Sequence, residues 1–355
     1  MIAPGAAIGV LGGGQLGRML AMAAAKLGYA TQIYDPAPDA CAAPVSARHV
    51  CAAWDDAAAL AEFARGVSVV TYEFENVPVP TVEHLAKLVP VRPGANALEV
   101  AQDRLAEKRF AAAHGLAAPR FVPVAAPAAL ETALALTGTP AILKTRREGY
   151  DGKGQARIAT TADAAKAWER LGGAPCILEA QVSFDAEFSV LVVRGQDGTT
   201  ALWDSPENVH EGGTLRTSTV PAGDAVARHW AAASAQARAL ADALGYVGVL
   251  AVEFFACADG PLFNEMAPRV HNSGHWTIEG AETSQFENHI RAVCGLPLGS
   301  TASRGPAAMA NLIGGEVDGW LGLFSDGSAS VHIYGKGEPR PGRKMGHVTR
   351  MGRTA

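Results

Sequence analysis

The stretch GVLAVEFFACADGPLFNEMAPR, residues 248–269, sets the reading of this chain. Two apolar runs, 248–255 and 262–266, flank Ala258-Asp259-Gly260. An Asp-Gly turn between apolar runs is a hairpin signal, so the runs are expected to be antiparallel neighbours. Glu253 lies in the first run and Glu265 in the second, both among large apolar residues. Burying two such acids unpaired is costly, and a divalent cation removes the cost. Magnesium takes one or two carboxylates plus phosphate oxygens and water, and Asn264 offers one more oxygen. The plainer alternative is that one acid points outward into solvent, because adjacent strand residues face opposite sides.

Pro268-Arg269-Val270-His271-Asn272-Ser273-Gly274-His275-Trp276 follows at once. It is dense in hydrogen-bond donors and has no amphipathic period. A lone histidine here would be read as structural. Arg269, His271, Asn272 and His275 together read as a site for an oxyanion such as bicarbonate, a carboxylate or an acyl phosphate.

Upstream, Lys144 ends the strand-like run 140–144, and Gly149-Tyr150-Asp151-Gly152-Lys153-Gly154-Gln155 follows five residues later. A glycine loop lets backbone N–H groups wrap a phosphate chain, and a neighbouring lysine neutralises its charge. The pattern is not that of a P-loop. An ordinary hairpin turn is the competing reading.

The amino-terminal third alternates strand and helix: strands at 7–11, 30–34 and 67–71, with a helical spacing at 18–27. This is a parallel α/β unit, ending near Arg92-Pro93-Gly94. A helical stretch is expected over 95–113. Gly12, Gly14 and Gly17 follow the first strand, and Asp35 closes the second, which is the spacing of a dinucleotide fingerprint. The loop alone does not specify which phosphate it meets, and a tight turn with close packing is also compatible with it. The middle of the chain reads as strands at 176–179 and 187–193 and a helix at 229–244, and the last sixty residues as short strands such as 330–334.

The chain has 355 residues, enough for two or three domains, and a net charge of −5. That balance gives no basis for a nucleic-acid or anionic-membrane partner. Five scattered cysteines with no C-x-x-C pair fit a reducing, cytoplasmic setting. No signal-peptide pattern or apolar run of membrane length is present.

Lys144, GYDGKGQ, Glu179-Ala180-Gln181-Val182, Glu187, Glu253 and Asn264-Glu265 resemble the ATP-grasp superfamily. Within it GGGQLGRML, QDRLAEK, GYDGKGQ, EMAPRVHNSGHWT and RPGRKMGH are similar to the N5-carboxyaminoimidazole ribonucleotide synthetase family, over about residues 7–348. The resemblance implies an α/β and α+β chain with the ATP-grasp fold: an N-terminal parallel α/β (preATP-grasp) domain at 1–97, an ATP-grasp domain at 98–297 with a lid at about 115–183, and a small C-terminal β-rich domain at 298–355. It implies ATP and Mg2+, phosphorylation of bicarbonate to carboxyphosphate, and capture of the carboxyl group by the amine of 5-aminoimidazole ribonucleotide. It also implies a homodimer.

Residue roles carry over in the same way. Arg104, Lys144, Gly149, Tyr150, Asp151, Gly152, Lys153, Gly154 and Gln155 would hold the nucleotide phosphates, with Lys153 also catalytic. Glu179, Ala180, Gln181 and Val182 would meet adenine, Glu187 the ribose, and His210 the nucleotide edge. Glu253 and Glu265 would bind magnesium, with Asn264 beside them. Arg269, His271 and Asn272 would hold bicarbonate and carboxyphosphate. Gln15, Leu16, Glu75, Asn76, Tyr150, Asp151, Lys336, Arg343 and Lys344 would recognise the ribonucleotide, so the first glycine loop meets that phosphate. A sister ATP-grasp enzyme using formate and glycinamide ribonucleotide, a nicotinamide oxidoreductase and a silent nucleotide-binding module are the competing readings.

Overall fold

The computed structural model describes residues 1–149 and 152–352. Tyr150 and Asp151, both expected in the site, lie outside the described residues. Among the described residues no helix is long and apolar enough to cross a membrane.

The amino-terminal sheet is parallel, in the order β3-β2-β1-β4, from β1 (Ala7–Leu11), β2 (Ala30–Tyr34), β3 (Arg48–Val50) and β4 (Val69–Tyr72). Helices α1 (Gln15–Lys26), α2 (Ala57–Arg65) and α3 (Val79–Ala86) connect and cover it. β3 escapes sequence reading because it is a three-residue edge strand with no alternation. The stretch expected to be one helix over 95–113 is two, α4 (Ala95–Ala101) and α5 (Arg104–Ala113). Asp103 causes the break: its carboxylate accepts from the backbone N–H groups of Leu105 at 3.0 Å and Ala106 at 3.4 Å, starting a new helix.

The second sheet is antiparallel, in the order β5-β8-β6-β7: β5 (Phe121–Val124), β6 (Ala141–Thr145), β7 (Gln155–Ile158) and β8 (Cys176–Ala180). Helices α6 (Leu130–Thr137) and α7 (Ala164–Arg170) pack on it. Val124, Leu134, Leu143, Ile158 and Trp168 form a core of its own.

The third sheet has nine strands: β9 (Ala186–Arg194), β10 (Thr200–Leu202), β11 (Glu207–Glu211), β12 (Thr214–Val220), β13 (Gly248–Cys257), β14 (Gly260–Ala267), β15 (Ala307–Ile313), β16 (Ala329–Ile333) and β17 (Lys344–Met351). Its order is β14-β13-β9-β11-β12-β15-β17-β16, with β10 beside β9. The C-terminal strands therefore continue the central sheet, through pairs such as Thr217 with Ala310. After the short α8 (Asp224–Ala227), helix α9 (Trp230–Ala243) covers one face; beyond the short α10 (Thr277–Gly280), α11 (Gln285–Cys294) covers the other, and α12 (Trp320–Ser325) lies in the C-terminal part.

β13 is buried on both faces, and its alternation feeds two cores. Val249 and Ala251 join Phe286 and Ile290 of α11, and that core runs on into Ile8, Val10 and Leu20 of the amino-terminal unit. Leu250, Val252 and Phe254 join Ala237 and Leu240 of α9. Each fully buried Val, Leu or Phe contributes roughly 1.5–3 kcal/mol. The hairpin that carries the two glutamates is thus a rigid central element rather than a loop.

Candidate active site

Glu253 and Glu265 are directly opposed across β13 and β14. The ladder then slips, with Phe254 opposite Phe263, so Asn264 is the extra residue of a β-bulge. A bulge suspends strict alternation and re-aims side chains. This removes the objection that Asn264 and Glu265 must face opposite ways. Asn264 Oδ1 is buried with no hydrogen-bond partner among the described residues. Burial, then the Glu265 charge, raises the Glu253 carboxyl above its usual range. Burial also pushes Glu265 up, but Arg104 beside it brings it net below the usual range. Two opposed carboxylates and an orphan amide oxygen are a donor set suited to a hard divalent cation.

Around this pair sit the expected cations. Arg104 Nη1 donates to Glu265 Oε2 at 2.7 Å, and Nη2 to the Gly149 carbonyl at 3.3 Å. One guanidinium thus bridges the acid pair and the second glycine loop. In that loop Gly152 and Gly154 adopt left-handed φ of 74° and 70°, which glycine alone adopts without strain. Lys153 lies between them, and Gln155 opens β7. Lys144 donates to Glu179 at 2.9 Å, and Lys108 lies 3.3 Å from the other oxygen of the same carboxylate. Burial pushes Glu179 up, but these two lysines win and hold it near about 2. The Glu179 side chain pairs with both lysines and also lines the cavity beside them. That cavity, of about 280 Å³, is further lined by Ile142, Lys144, Ala180, Gln181, Val182 and Phe255. His210 Nδ1 lies 2.8 Å from Glu187, and although burial opposes it, that carboxylate raises the histidine above its ordinary range.

On the other flank His271 Nε2 lies 3.3 Å from Glu253, and Arg269 pairs with Glu75 at 2.7 Å. Burial, then the Arg269 charge, drives His271 well below its ordinary range, so the ring is neutral. Asn272 differs from expectation: its amide makes a reciprocal pair with Asn311, at 2.9 and 2.7 Å. Its side chain braces β15, leaving its backbone as the group that could face an oxyanion.

The first glycine loop also differs from expectation. Glu73 accepts from Gly14 N at 2.8 Å and Gly17 N at 3.2 Å, and Asp35 accepts from Gly13 N at 2.6 Å. Protein carboxylates hold the Gly13, Gly14 and Gly17 donors, whereas the Gln15 and Leu16 N–H groups, those expected to meet the ribonucleotide, are outside these bonds; Asp35 is turned inward rather than toward a ribose. Cations gather nearby: Lys336, within electrostatic reach of Glu73 and Cys41, donates to the Lys344 carbonyl at 2.9 Å, and Arg343 to the Lys336 carbonyl at 3.0 Å. Burial lowers Lys336 to about 8. Gln15 and Leu16 stand at the start of α1, and Glu75 and Asn76 just beyond β4.

Sequence reasoning missed Lys108, Glu73 and Asn311. Lys108 was findable, since it lies at i+4 from Arg104 on the same face of α5. Glu73 and Asn311 carry no local signal.

The ATP-grasp domain family matches residues 109–286, the Ribonucleotide synthetase preATP-grasp domain 6–102, and the Phosphoribosylaminoimidazole carboxylase C-terminal domain 307–355. The N5-carboxyaminoimidazole ribonucleotide synthase of Brucella melitensis is 50% identical over 98% of this chain and 97% of its own. The crystal structure of the Thermus thermophilus synthetase superposes with a TM-score of 0.91 at 53% identity, covering 97% of this chain and 93% of that one. The Aspergillus clavatus synthase, in complex with ADP and 5-aminoimidazole ribonucleotide, gives 0.92 at 32% identity, over 98% and 94%. With identities of this size over nearly the whole length, the chain belongs to the N5-carboxyaminoimidazole ribonucleotide synthase family of ATP-grasp ligases.

Proposed function

We infer that the chain uses ATP to carboxylate the exocyclic amine of 5-aminoimidazole ribonucleotide with bicarbonate, giving N5-carboxyaminoimidazole ribonucleotide, ADP and phosphate in purine biosynthesis. One juxtaposition supports this above all: the opposed Glu253 and Glu265 stand between Arg104, which reaches the glycine loop, and His271.

In this reading adenine enters the cavity beside Ala180–Val182, and Glu187 with His210 meets the ribose side. Arg104, Lys144, Lys153 and the 149–155 loop spread the charge of the phosphates. Glu253 and Glu265, with Asn264 Oδ1, would hold Mg2+, which would neutralise phosphate charge and fix the terminal group for in-line transfer. An oxygen of bicarbonate attacks the terminal phosphorus, the bond to ADP breaks, and carboxyphosphate forms. Arg269 and His271 are placed to hold that oxyanion, with the Asn272 backbone beside them. The amine then takes the carboxyl carbon, directly or as released CO2, and phosphate leaves. Because little covalent chemistry falls to the protein, positioning and charge are what the residues must supply. Lys336, Arg343 and Lys344 hold the ribonucleotide phosphate, with Gln15, Leu16, Glu75 and Asn76 around the imidazole ribose. We also propose that the chain is a cytoplasmic homodimer, which sedimentation would check.

The test is a coupled assay of ADP release with Mg2+. Turnover is expected with bicarbonate plus 5-aminoimidazole ribonucleotide, and none with formate plus glycinamide ribonucleotide. The reverse pattern would move the chain to the sister enzyme.

A further inference from the structure

Behind His271 runs a chain of buried polar side chains that the reaction scheme leaves unused. Ser273 Oγ lies 2.8 Å from His271 Nδ1, and Ser189 Oγ lies 2.6 Å from Ser273 Oγ. Asn208 Nδ2 lies 3.2 Å from Ser189 Oγ, and Ser218 Oγ 2.7 Å from Asn208 Oδ1. All three serines are fully buried, and Asn208 is 5% exposed. They come from four elements: β9, β11, β12 and the 3-10 turn Asn272–Gly274.

One proton in this chain has a fixed place. The backbone N–H of Ser273 donates to His271 Nδ1 at 3.3 Å. A backbone amide can only donate, so Nδ1 is an acceptor and carries no proton. The rest follows link by link. The short contact between Nδ1 and Ser273 Oγ needs one proton, so the Ser273 hydroxyl supplies it. The contact between the two serines then takes the Ser189 proton. Ser189 Oγ, having donated, receives from the Asn208 amide, and the Asn208 oxygen receives from Ser218. Every group in the chain is satisfied in this one direction, which is the condition under which a buried polar network fixes its members.

We propose that Ser273, Ser189 and Asn208 are positioning residues that lock His271 as the Nε2–H tautomer, making it a fixed hydrogen-bond donor to the carboxyphosphate-forming site. The proposal rests on the function inferred above for that site. Nε2 faces the acid pair, 3.3 Å from Glu253. Nε2 already carries the ring's one N–H proton, and the ring's single basic lone pair, on Nδ1, is held in the relay, away from any reacting atom. His271 therefore donates to the oxyanion and does not act as the base for bicarbonate or for the amine. Ser273 in the following turn, Ser189 on the strand paired with Glu253 and Asn208 one strand further thus decide which hydrogen-bonding face the histidine presents.

Nitrogen-15 NMR of the full-length, histidine-labelled chain tests the tautomer, with His271→Asn used to assign the signal. A protonated Nε2 and a bare, hydrogen-bonded Nδ1 are expected. A protonated Nδ1 overturns the proposal. In kinetics, Ser273→Ala is expected to raise the bicarbonate KM about tenfold, the worth of one hydrogen bond to a charged group. The ATP KM should stay within about twofold, and Ser273→Cys, which keeps a weak donor, should recover part of the loss. An unchanged bicarbonate KM in folded Ser273→Ala overturns the proposal. If Ser273→Ala does not fold, the tautomer of the unsubstituted chain still decides. Should the unsubstituted chain release no ADP with bicarbonate, the functional reading fails while the NMR result stands by itself.

Discussion

At single-residue scale the site is governed by which charges are already paired. Glu265 has Arg104 as its ion-pair partner, whereas Glu253 faces the neutral His271 at 3.3 Å and feels His210 and Lys344 from further off. The two carboxylates are therefore inequivalent: burial and like charge raise Glu253, whereas Arg104 keeps Glu265 ionised. Glu265→Ala removes one of the proposed metal ligands and frees Arg104. ADP formation should fall at least roughly a hundredfold, the scale of losing one preorganised electrostatic contact. Circular dichroism should be unchanged, because Glu265 lies outside every hydrophobic core cluster. Retained turnover in a folded variant would take Glu265 out of the metal site. Lys336 gives the pH prediction. Burial lowers it to about 8, so it is cationic below that value and loses its proton as pH rises through it. If it holds the ribonucleotide phosphate, the KM for 5-aminoimidazole ribonucleotide should climb above pH 8. Lys336→Met should abolish that rise and lift KM at pH 7 by roughly tenfold. A pH profile that Lys336→Met leaves unchanged would assign the phosphate to another cation.

Among the secondary-structure elements, one buried histidine adds a polar bridge to the apolar core that joins the parallel amino-terminal sheet to the central sheet. His289 of α11 accepts from Val249 N at 3.1 Å on β13, and its other ring nitrogen meets Thr71 Oγ1 at 2.8 Å on β4. Gly248, at φ 124°, lets the ring approach; an added Cβ would stand 2.8 Å from it. Burial drops His289 to about 3, so the native chain leaves it neutral where the unfolded chain protonates. The unfolded state binds the extra proton below about 6.5, so this residue's contribution is present above that pH and is lost as pH falls toward 3. The loss amounts to about 1.4 kcal/mol per pH unit. His289→Gln should flatten the urea-derived stability profile by about that slope between pH 6 and 4; equal slopes would show that the ring is protonated in the native state. Sequence could not announce this contact, because a histidine within QFENHIRAVC looks like a surface residue of an amphipathic helix. What it did announce were local signals: the Asp-Gly hairpin, the glycine runs and the donor-dense 268–276 segment. The bulge at Asn264, the Asn272–Asn311 pair and the Glu73 carboxylate on Gly14 all depend on partners 10 to 60 residues away or on a slip of register. No periodicity reports them.

Across the whole molecule the β5–β8 sheet with α6 and α7 has a core of its own, and polar contacts join it to the rest; we propose that it moves as the lid over the nucleotide. Arg146, at the end of its strand β6, donates to Asp103 at 3.1 and 2.6 Å, and Lys108 reaches in to Glu179. At the loop tip Gly152 rests on the β11–β12 turn, where an added Cβ would lie 2.6 Å from the Gly212 carbonyl. Such a body closes by docking, and its open population follows the strength of these contacts. Asp103 has two duties, capping α5 and pairing with Arg146. Asparagine keeps the first, being an equally good cap, and removes the charge needed for the second. A partly buried bidentate pair of this kind is worth about 1.4 kcal/mol or more, a factor of roughly ten in an opening equilibrium. Asp103→Asn should therefore speed tryptic cleavage within residues 146–157 roughly tenfold in the absence of nucleotide. Saturating ATP should remove most of the difference, because phosphates bound by Lys144 and the glycine loop would hold the lid from inside. Global stability should change by less than about 1 kcal/mol, since the lid core and the central sheet are untouched. Cleavage at the unsubstituted rate would mean that Gly152 and Lys108, rather than the Asp103–Arg146 pair, keep the lid in place.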